Sequence, residues 1–155
     1  MSFEPVTELR SAIPQEAGLI RDLVRAAYAK WVPILGREPL PMKADYERAV
    51  REHQIDILYI DGRMVGLIET MLRSDHLWIE NVAVRPDSQG KGLGRQLLEH
   101  VERKAAEAGC AETRLRTNAA FEANIALYTR VGYSVDGREP FMGGTTVYMS
   151  KKVTR

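Results

Sequence analysis

Val82-Ala83-Val84-Arg85-Pro86-Asp87-Ser88-Gln89-Gly90-Lys91-Gly92-Leu93-Gly94-Arg95-Gln96-Leu97-Leu98 runs from an apolar strand, through a proline stop and a glycine-rich turn, into a helix. A helix that starts inside the glycines leaves several backbone N–H groups unpaired and pointing one way. The positive end of the helix dipole stands behind them, which makes a site for phosphate oxygens. Gly90, Gly92 and Gly94 let that backbone approach a ligand with no Cβ in the way. The stretch predicts a phosphorylated cofactor.

Spacing excludes two familiar phosphate loops. A P-loop needs Ser or Thr after its lysine, and Lys91 is followed by Gly92. A dinucleotide fingerprint begun at Gly90 needs glycine where Arg95 stands, and no first βαβ unit with its acidic residue surrounds it. What fits is Gln89-x-x-Gly92-x-Gly94 directly after a strand that ends in Val84-x-Pro86. Alone, such a turn is equally a tight strand-to-helix connection. Strand, proline, glutamine, glycine spacing and amphipathic helix together resemble the acyl-CoA-binding motif of the GNAT superfamily of N-acetyltransferases. A second block, Asn124-x-x-x-Tyr128-x-x-x-Gly132-Tyr133 within Arg116 to Tyr133, is similar to the strand-helix-strand that follows the cofactor helix in that family. The resemblance runs in order over about residues 6 to 153 and is specific from Ile79 to Tyr133.

Composition agrees with a globular chain of one domain, residues 1–155. Hydrophobic residues make up 45% and charged residues 28%, and the net charge is +1. That balance points to no nucleic-acid and no membrane partner. No apolar run reaches the length of a spanning helix, and the N-terminus lacks a signal-peptide pattern. The lone Cys110 cannot make an internal disulfide, so a cytoplasmic location is expected. His53, His76 and His100 lack metal spacing, so no metal is expected.

Periodicity gives the order β-α-α-β-β-β-α-β-α-β-β. Thr7 to Ile13 is a short strand, and Gln15 to Lys30 an amphipathic helix. Pro33, Gly36, Pro39 and Pro41 predict an irregular loop, followed by a helix over Lys43 to Glu52. Asp56 to Ile60 and Met64 to Leu72 form a hairpin at Asp61-Gly62, and Leu77 to Val84 is the central strand. The cofactor helix carries the stripe Leu93, Leu97, Val101, Ala105, Ala108 and stops at Gly109. Thr113 to Thr117 is a strand and Ala120 to Val131 a helix. Tyr133 to Val135 and Thr145 to Met149 are strands split by a loop rich in Gly and Pro. The fold class expected is mixed α/β, a single GNAT-like domain with a central mixed sheet of about six to seven strands flanked by about four helices.

Acetyl transfer from a thioester to an amine needs a neutral amine, a stabilised oxyanion and a protonated leaving thiolate. The resemblance implies that acetyl-CoA is the co-substrate and that Val82, Ala83 and Val84 pair their backbone with its pantetheine arm. The Val82 N–H then meets the acetyl carbonyl. Gln89, Gly90, Lys91, Gly92, Leu93, Gly94 and Arg95 would surround the phosphates, with Lys91 and Arg95 alternatively ordinary solvated helix charges. Asn118 and Asn124 would bond the arm or serve as turn and cap residues. Tyr128 matches the family's tyrosine that protonates the departing sulfur. On spacing alone it is equally a core residue, since Phe121, Ile125 and Tyr128 share a helical stripe.

Glu80 stands in the apolar strand Leu77-Trp78-Ile79-Glu80-Asn81-Val82, where strict alternation would put His76, Trp78 and Glu80 on the face of Val82. A carboxylate there needs a partner or a wet cleft. It is a candidate base, a holder of a cationic substrate, or half of an ion pair with Arg116. Tyr28 and Trp31, with the proline-bounded segment after them, are candidates for the acceptor wall. The expected function is an N-acetyltransferase acting on the primary amine of a small molecule. The alternatives are a protein or peptide N-acetyltransferase and a noncatalytic acyl-CoA-binding module. The resemblance also brings a homodimer as an expectation, which no segment of the sequence carries.

Overall fold

Asp61 and Gly62 both take positive φ, 50° and 77°, and so turn the chain in two residues between β2 (Gln54–Ile60) and β3 (Arg63–Leu72). Such turns match the right-handed twist of the strands they join. The same device recurs at Met142 and Gly143, φ 48° and 80°, between β6 (Ser134–Phe141) and β7 (Gly144–Lys152). With β1 (Thr7–Ser11), β4 (His76–Val84) and β5 (Glu112–Asn118) these strands form one seven-stranded sheet, ordered β1-β2-β3-β4-β5-β7-β6. The computed structural model describes residues 4–154. Every pairing is antiparallel except β4 with β5, which the crossover helix α4 (Leu93–Glu107) connects.

Two cores flank the sheet. On one face α1 (Ala17–Tyr28) and α3 (Tyr46–Glu52) bury Ile20, Leu23 and Val24 against Ile57 and Leu67. On the other, α4 buries Leu97, Leu98 and Val101 against Ile68, Leu115 and Met149, and α5 (Glu122–Val131) adds Tyr128. Each of these large side chains contributes about 1.5–3 kcal/mol relative to exposure. This is the mixed α/β fold expected, with seven strands and four main helices.

Four local expectations change. The segment after Val135 is not a loop: β6 continues to Phe141 and pairs with β7 throughout. Its Gly137 lies at a register shift, and its Pro140 sits on an edge strand whose outer side needs no donor. The loop signals there mark an edge. The proline-rich segment contains a one-turn helix, α2 (Val32–Leu35), stopped by Gly36 at φ 72°. Helix α3 starts at Tyr46 rather than Lys43, because the Asp45 carboxylate accepts the Arg48 N–H at 3.2 Å and caps it.

The fourth change bears on the site. Glu69 pairs with Asn81 and Thr70 with Ile79, so Glu80 is an extra residue, a β-bulge, opposite β3. The bulge breaks the alternation. Leu77 and Ile79 pack into the α4 core, whereas Ala83 packs into the α1 core and Val82 now faces α4. Trp78 and Glu80 therefore do not share the face of Val82. Glu80 lies beside Asn81 instead, toward α1 and α3.

Candidate active site

Strand β4 pairs with β5 only from His76 to Ile79. Beyond the bulge the two strands separate, and backbone groups of β4 turn into the gap. Arg85 donates its N–H to Val65 on β3, so by alternation Val82 and Val84 point theirs toward the opening. Gln89 closes the end of the row by donating Nε2–H to the Val84 carbonyl at 3.0 Å. Tyr28 leans its hydroxyl on the Val82 carbonyl at 3.4 Å while donating to Asn81 Oδ1 at 2.8 Å. Asn81 in turn donates to the Tyr46 hydroxyl, which donates to the Pro41 carbonyl at 2.6 Å. This buried chain ties α1, α3 and the proline segment to the bulge. The Val82 N–H is left facing the gap.

One side of the gap opens into a groove of about 360 Å³ lined by Val82, Ala83, Val84, Gln89, Gly90, Gly92, Leu93, Gly94 and Arg95, with Asn124 and Tyr128 across from them. Gly90 and Gly92 adopt φ of 78° and 79°, which a side chain takes only under strain. Helix α4 starts at Leu93 with no side-chain cap and no acidic residue in its first turn. Its first N–H groups are thus open to an anion, in contrast to the capped α3. Gly94 is tight for another reason: a Cβ there would stand 2.9 Å from the Leu127 side chain, so α4 and α5 close on one another. Lys30, Arg95 and Arg130 supply positive charge along this groove, and Lys30 also donates to Gln89 at 3.0 Å. Lys91 is exposed and lines neither this groove nor the cavity beyond.

The other side opens into a cavity of about 760 Å³ between the proline segment, α3, the bulge and the β6–β7 hairpin. Tyr28, Val82, Asn124 and Tyr128 line both spaces, so the two meet there. Tyr128 is 6% exposed, and among the described residues its hydroxyl has no protein partner. Burial pushes its phenol well above the ordinary range, with the nearby Tyr133 adding to the effect. The group stays protonated and free to donate.

Glu80 accepts the Trp78 Nε1–H at 2.8 Å and lies 3.6 Å from the Arg116 guanidinium, which stands over the Trp78 ring. The ion pair expected from sequence exists, and it lines the larger cavity. Trp31 does not wall that cavity. It stacks on Phe121 at 4.7 Å between centroids, and Phe121 takes the cavity-facing place while Trp31 lies along the groove. Asn118 lines the cavity but spends its Oδ1 on the Ala120 N–H at 2.9 Å, a turn role. Sequence reading missed Asn81, Tyr46, Phe121, Lys30, Arg130 and the pair His53–Glu69, where Nδ1 meets Oε2 at 2.6 Å. Glu69 carries the signal that singled out Glu80, an acid inside an apolar strand.

Among the described residues no cluster of His, Cys, Asp and Glu has the arrangement of a metal site, and no helix is long and apolar enough to cross a membrane. Solved structures share the fold. PaiA N-acetyltransferase from Thermoplasma acidophilum, in complex with coenzyme A, superposes with a TM-score of 0.84 at 16% identity, covering 95% of this chain and 99% of that one. The ribosomal-protein-S18-alanine N-acetyltransferase of Escherichia coli superposes at 0.75 with 22% identity, covering 97% and 96%. In sequence, the [ribosomal protein bS18]-alanine N-acetyltransferase of Escherichia coli K12 is 38% identical over 74 residues, 48% of this chain and 50% of the relative. The chain thus spans about half the length of the curated relatives it matches. The model of the acetyltransferase (GNAT) family matches residues 20–133, which takes in most of α1, the splayed strands, the uncapped glycine turn and Tyr128. With that match over most of its length, on the elements that build the two cavities, the chain belongs to the GNAT acetyltransferase family.

Proposed function

We propose that this enzyme moves an acetyl group from acetyl-CoA to a primary amine, and that the amine is the N-terminus of a protein or peptide. The observation that carries the reading is the junction where an anion-ready groove and a larger cavity meet at Val82 and Tyr128. The residues present fit the cofactor: an uncapped helix start for the phosphates, then β4 N–H groups that no β5 partner takes for an amide-bearing arm. Acetyl-CoA supplies the activated acetyl group. The Val82 N–H is aimed to stabilise charge on the acetyl oxygen, and Tyr128 to protonate the leaving sulfur. Glu80, with both oxygens near donors, is suited to holding positive charge at the acceptor.

Two features support a peptide over the small-molecule amine expected from sequence. The acceptor cavity has about twice the volume of the groove and is bounded by Leu40 on one side and by Phe141 and Tyr148 on the other, room for residues beyond the amine. The relatives named for acetylating ribosomal protein bS18 alanine point the same way. The test is CoA release with acetyl-CoA and either an alanine-starting peptide or a panel of polyamines, amino acids and aminoglycosides. Peptide turnover at least ten times that of any small amine is the expected result. The reverse preference would return the acceptor to small molecules, and stabilisation by acetyl-CoA without turnover would favour a noncatalytic module.

A further inference from the structure

His53 follows α3, and Glu69 lies in β3, and the two meet in the acceptor cavity with no part in the steps above. The Glu69 side chain is 4% exposed and the His53 side chain 28%, so the carboxylate is buried and the ring has access. The end of α3 does not need the ring, since it closes through the backbone bond from His53 N–H to the Ala49 carbonyl, and the ring's one protein partner is the buried Glu69 carboxylate. An ionised carboxylate only accepts, so Nδ1 carries the ring proton and Nε2 keeps its lone pair. Among the described residues Nε2 has no protein partner, and no buried side-chain nitrogen or oxygen is left unsatisfied, so Nε2 opens to cavity or solvent.

We propose that His53 accepts the proton that the incoming ammonium must lose, directly or through one water, and that Glu69 is the positioning residue that holds its tautomer. This rests on the acetyl-transfer reading. The balance is simple. One proton leaves the acceptor nitrogen for Nε2, and the freed lone pair forms the C–N bond as the C–S bond breaks. Tyr128 protonates the sulfur, and the second proton of the nitrogen restores the phenol. The imidazolium, beside a carboxylate, then returns its proton to water from the exposed edge of the ring.

The surroundings favour this division of labour. Burial, with nearby Glu80 adding to it, holds the Glu69 carboxyl above the ordinary carboxylate range, and the bonds from His53 and Asn81 pull it part of the way back. The same cavity is lined by the charged groups of Asp45, the α3 cap, Arg48 and Glu52 of α3, Arg37 of the proline segment, and Glu80 with Arg116. Arg48 is taken by Glu52 at 2.8 Å and Arg116 leans on Glu80, so neither cation holds Glu69 in place of His53.

Two readouts test the pair, one without turnover. In protein labelled with ¹⁵N-histidine, which has three histidines to assign, neutral His53 should carry its proton on Nδ1 and lose that preference in Glu69→Gln. A proton on Nε2 in the unsubstituted protein overturns the proposal. With the alanine-starting peptide, His53→Gln should lower kcat/KM by about 10²–10⁴-fold and remove its acid limb. The acetyl-CoA thermal shift should persist, and imidazole should partly rescue His53→Gly. Turnover within about threefold of the unsubstituted enzyme, with the same acid limb, removes His53 from the reaction but leaves acetyl transfer standing. Failure of the unsubstituted enzyme to release CoA with any acceptor would instead sink the transfer reading.

Discussion

The groove and the cavity that meet at Tyr128 are built in opposite ways. One wall of the groove is nearly continuous chain, Val82 to Arg95, and its working groups are backbone N–H donors set by glycine conformation and a helix start. The acceptor cavity draws side chains from the proline segment, α3, β3, β4, β5, α5 and the β6–β7 hairpin. Its polar groups are placed by pairs far apart in sequence, such as Tyr28 with Asn81 and His53 with Glu69. Backbone donors tolerate neighbouring substitutions and recognise a constant ligand, whereas assembled side chains change easily and suit a variable one.

The sharpest way to probe the junction between the two regions is Tyr128→Phe. Loss of the donor should cut kcat by about 10²–10⁴-fold, with acetyl-CoA affinity and melting temperature nearly kept. A variant that melts lower but turns over normally would make Tyr128 core alone. Next comes the backbone side. Gly92→Val forces a β-branched residue to φ 79°, although a Cβ there meets no neighbouring atom. The acetyl-CoA-dependent rise in melting temperature should vanish while circular dichroism keeps the native spectrum. An undiminished rise would break the assignment of the loop.

On the cavity side, Glu80→Gln should raise KM for the peptide by about tenfold with kcat little changed, if the carboxylate holds positive charge. A fall confined to kcat, recovered at high pH, would instead make Glu80 the proton acceptor in place of His53. The smallest effect belongs to neither region. Asp56 on β2, buried, accepts from His100 at 2.9 Å and Lys104 at 2.7 Å on α4, and from Gln54. Burial alone would raise its carboxyl, but these donors hold it well below the usual carboxylate range. The stabilisation is therefore full above the unfolded value of about 4 and is lost as pH falls below it toward the folded one. Asp56→Asn should cost about 2 kcal/mol at pH 7, with an unchanged kcat, since the partners are partly exposed. The difference in melting temperature should shrink below about pH 4, and a gap constant with pH would contradict the ion pair.

Much of the architecture was legible because its signals are local. Asp61-Gly62 announced a hairpin, the α4 stripe announced a buried helix, and Gln89 to Gly94 announced the glycine turn that opens it. The β6–β7 hairpin was not legible, since Gly137 and Pro140 serve an edge strand in the same residues that elsewhere mark a loop. The face of Glu80 was misread because alternation assumes an unbroken ladder, and a bulge exists only relative to the partner strand. Trp31 was assigned to the acceptor wall, and Phe121, ninety residues later in the chain, occupies that place.

By itself the sequence determined most of the elements, the glycine turn that opens α4 and the residues offered for acid and amide roles, because backbone conformation and helix polarity depend on near neighbours. Only the tertiary structure decided where β4 and β5 part, that Glu80 is a bulge, and that Glu69 finds His53. Those facts depend on register between strands and on burial, which set the environment of a charge, and neither is written in any one segment of the chain.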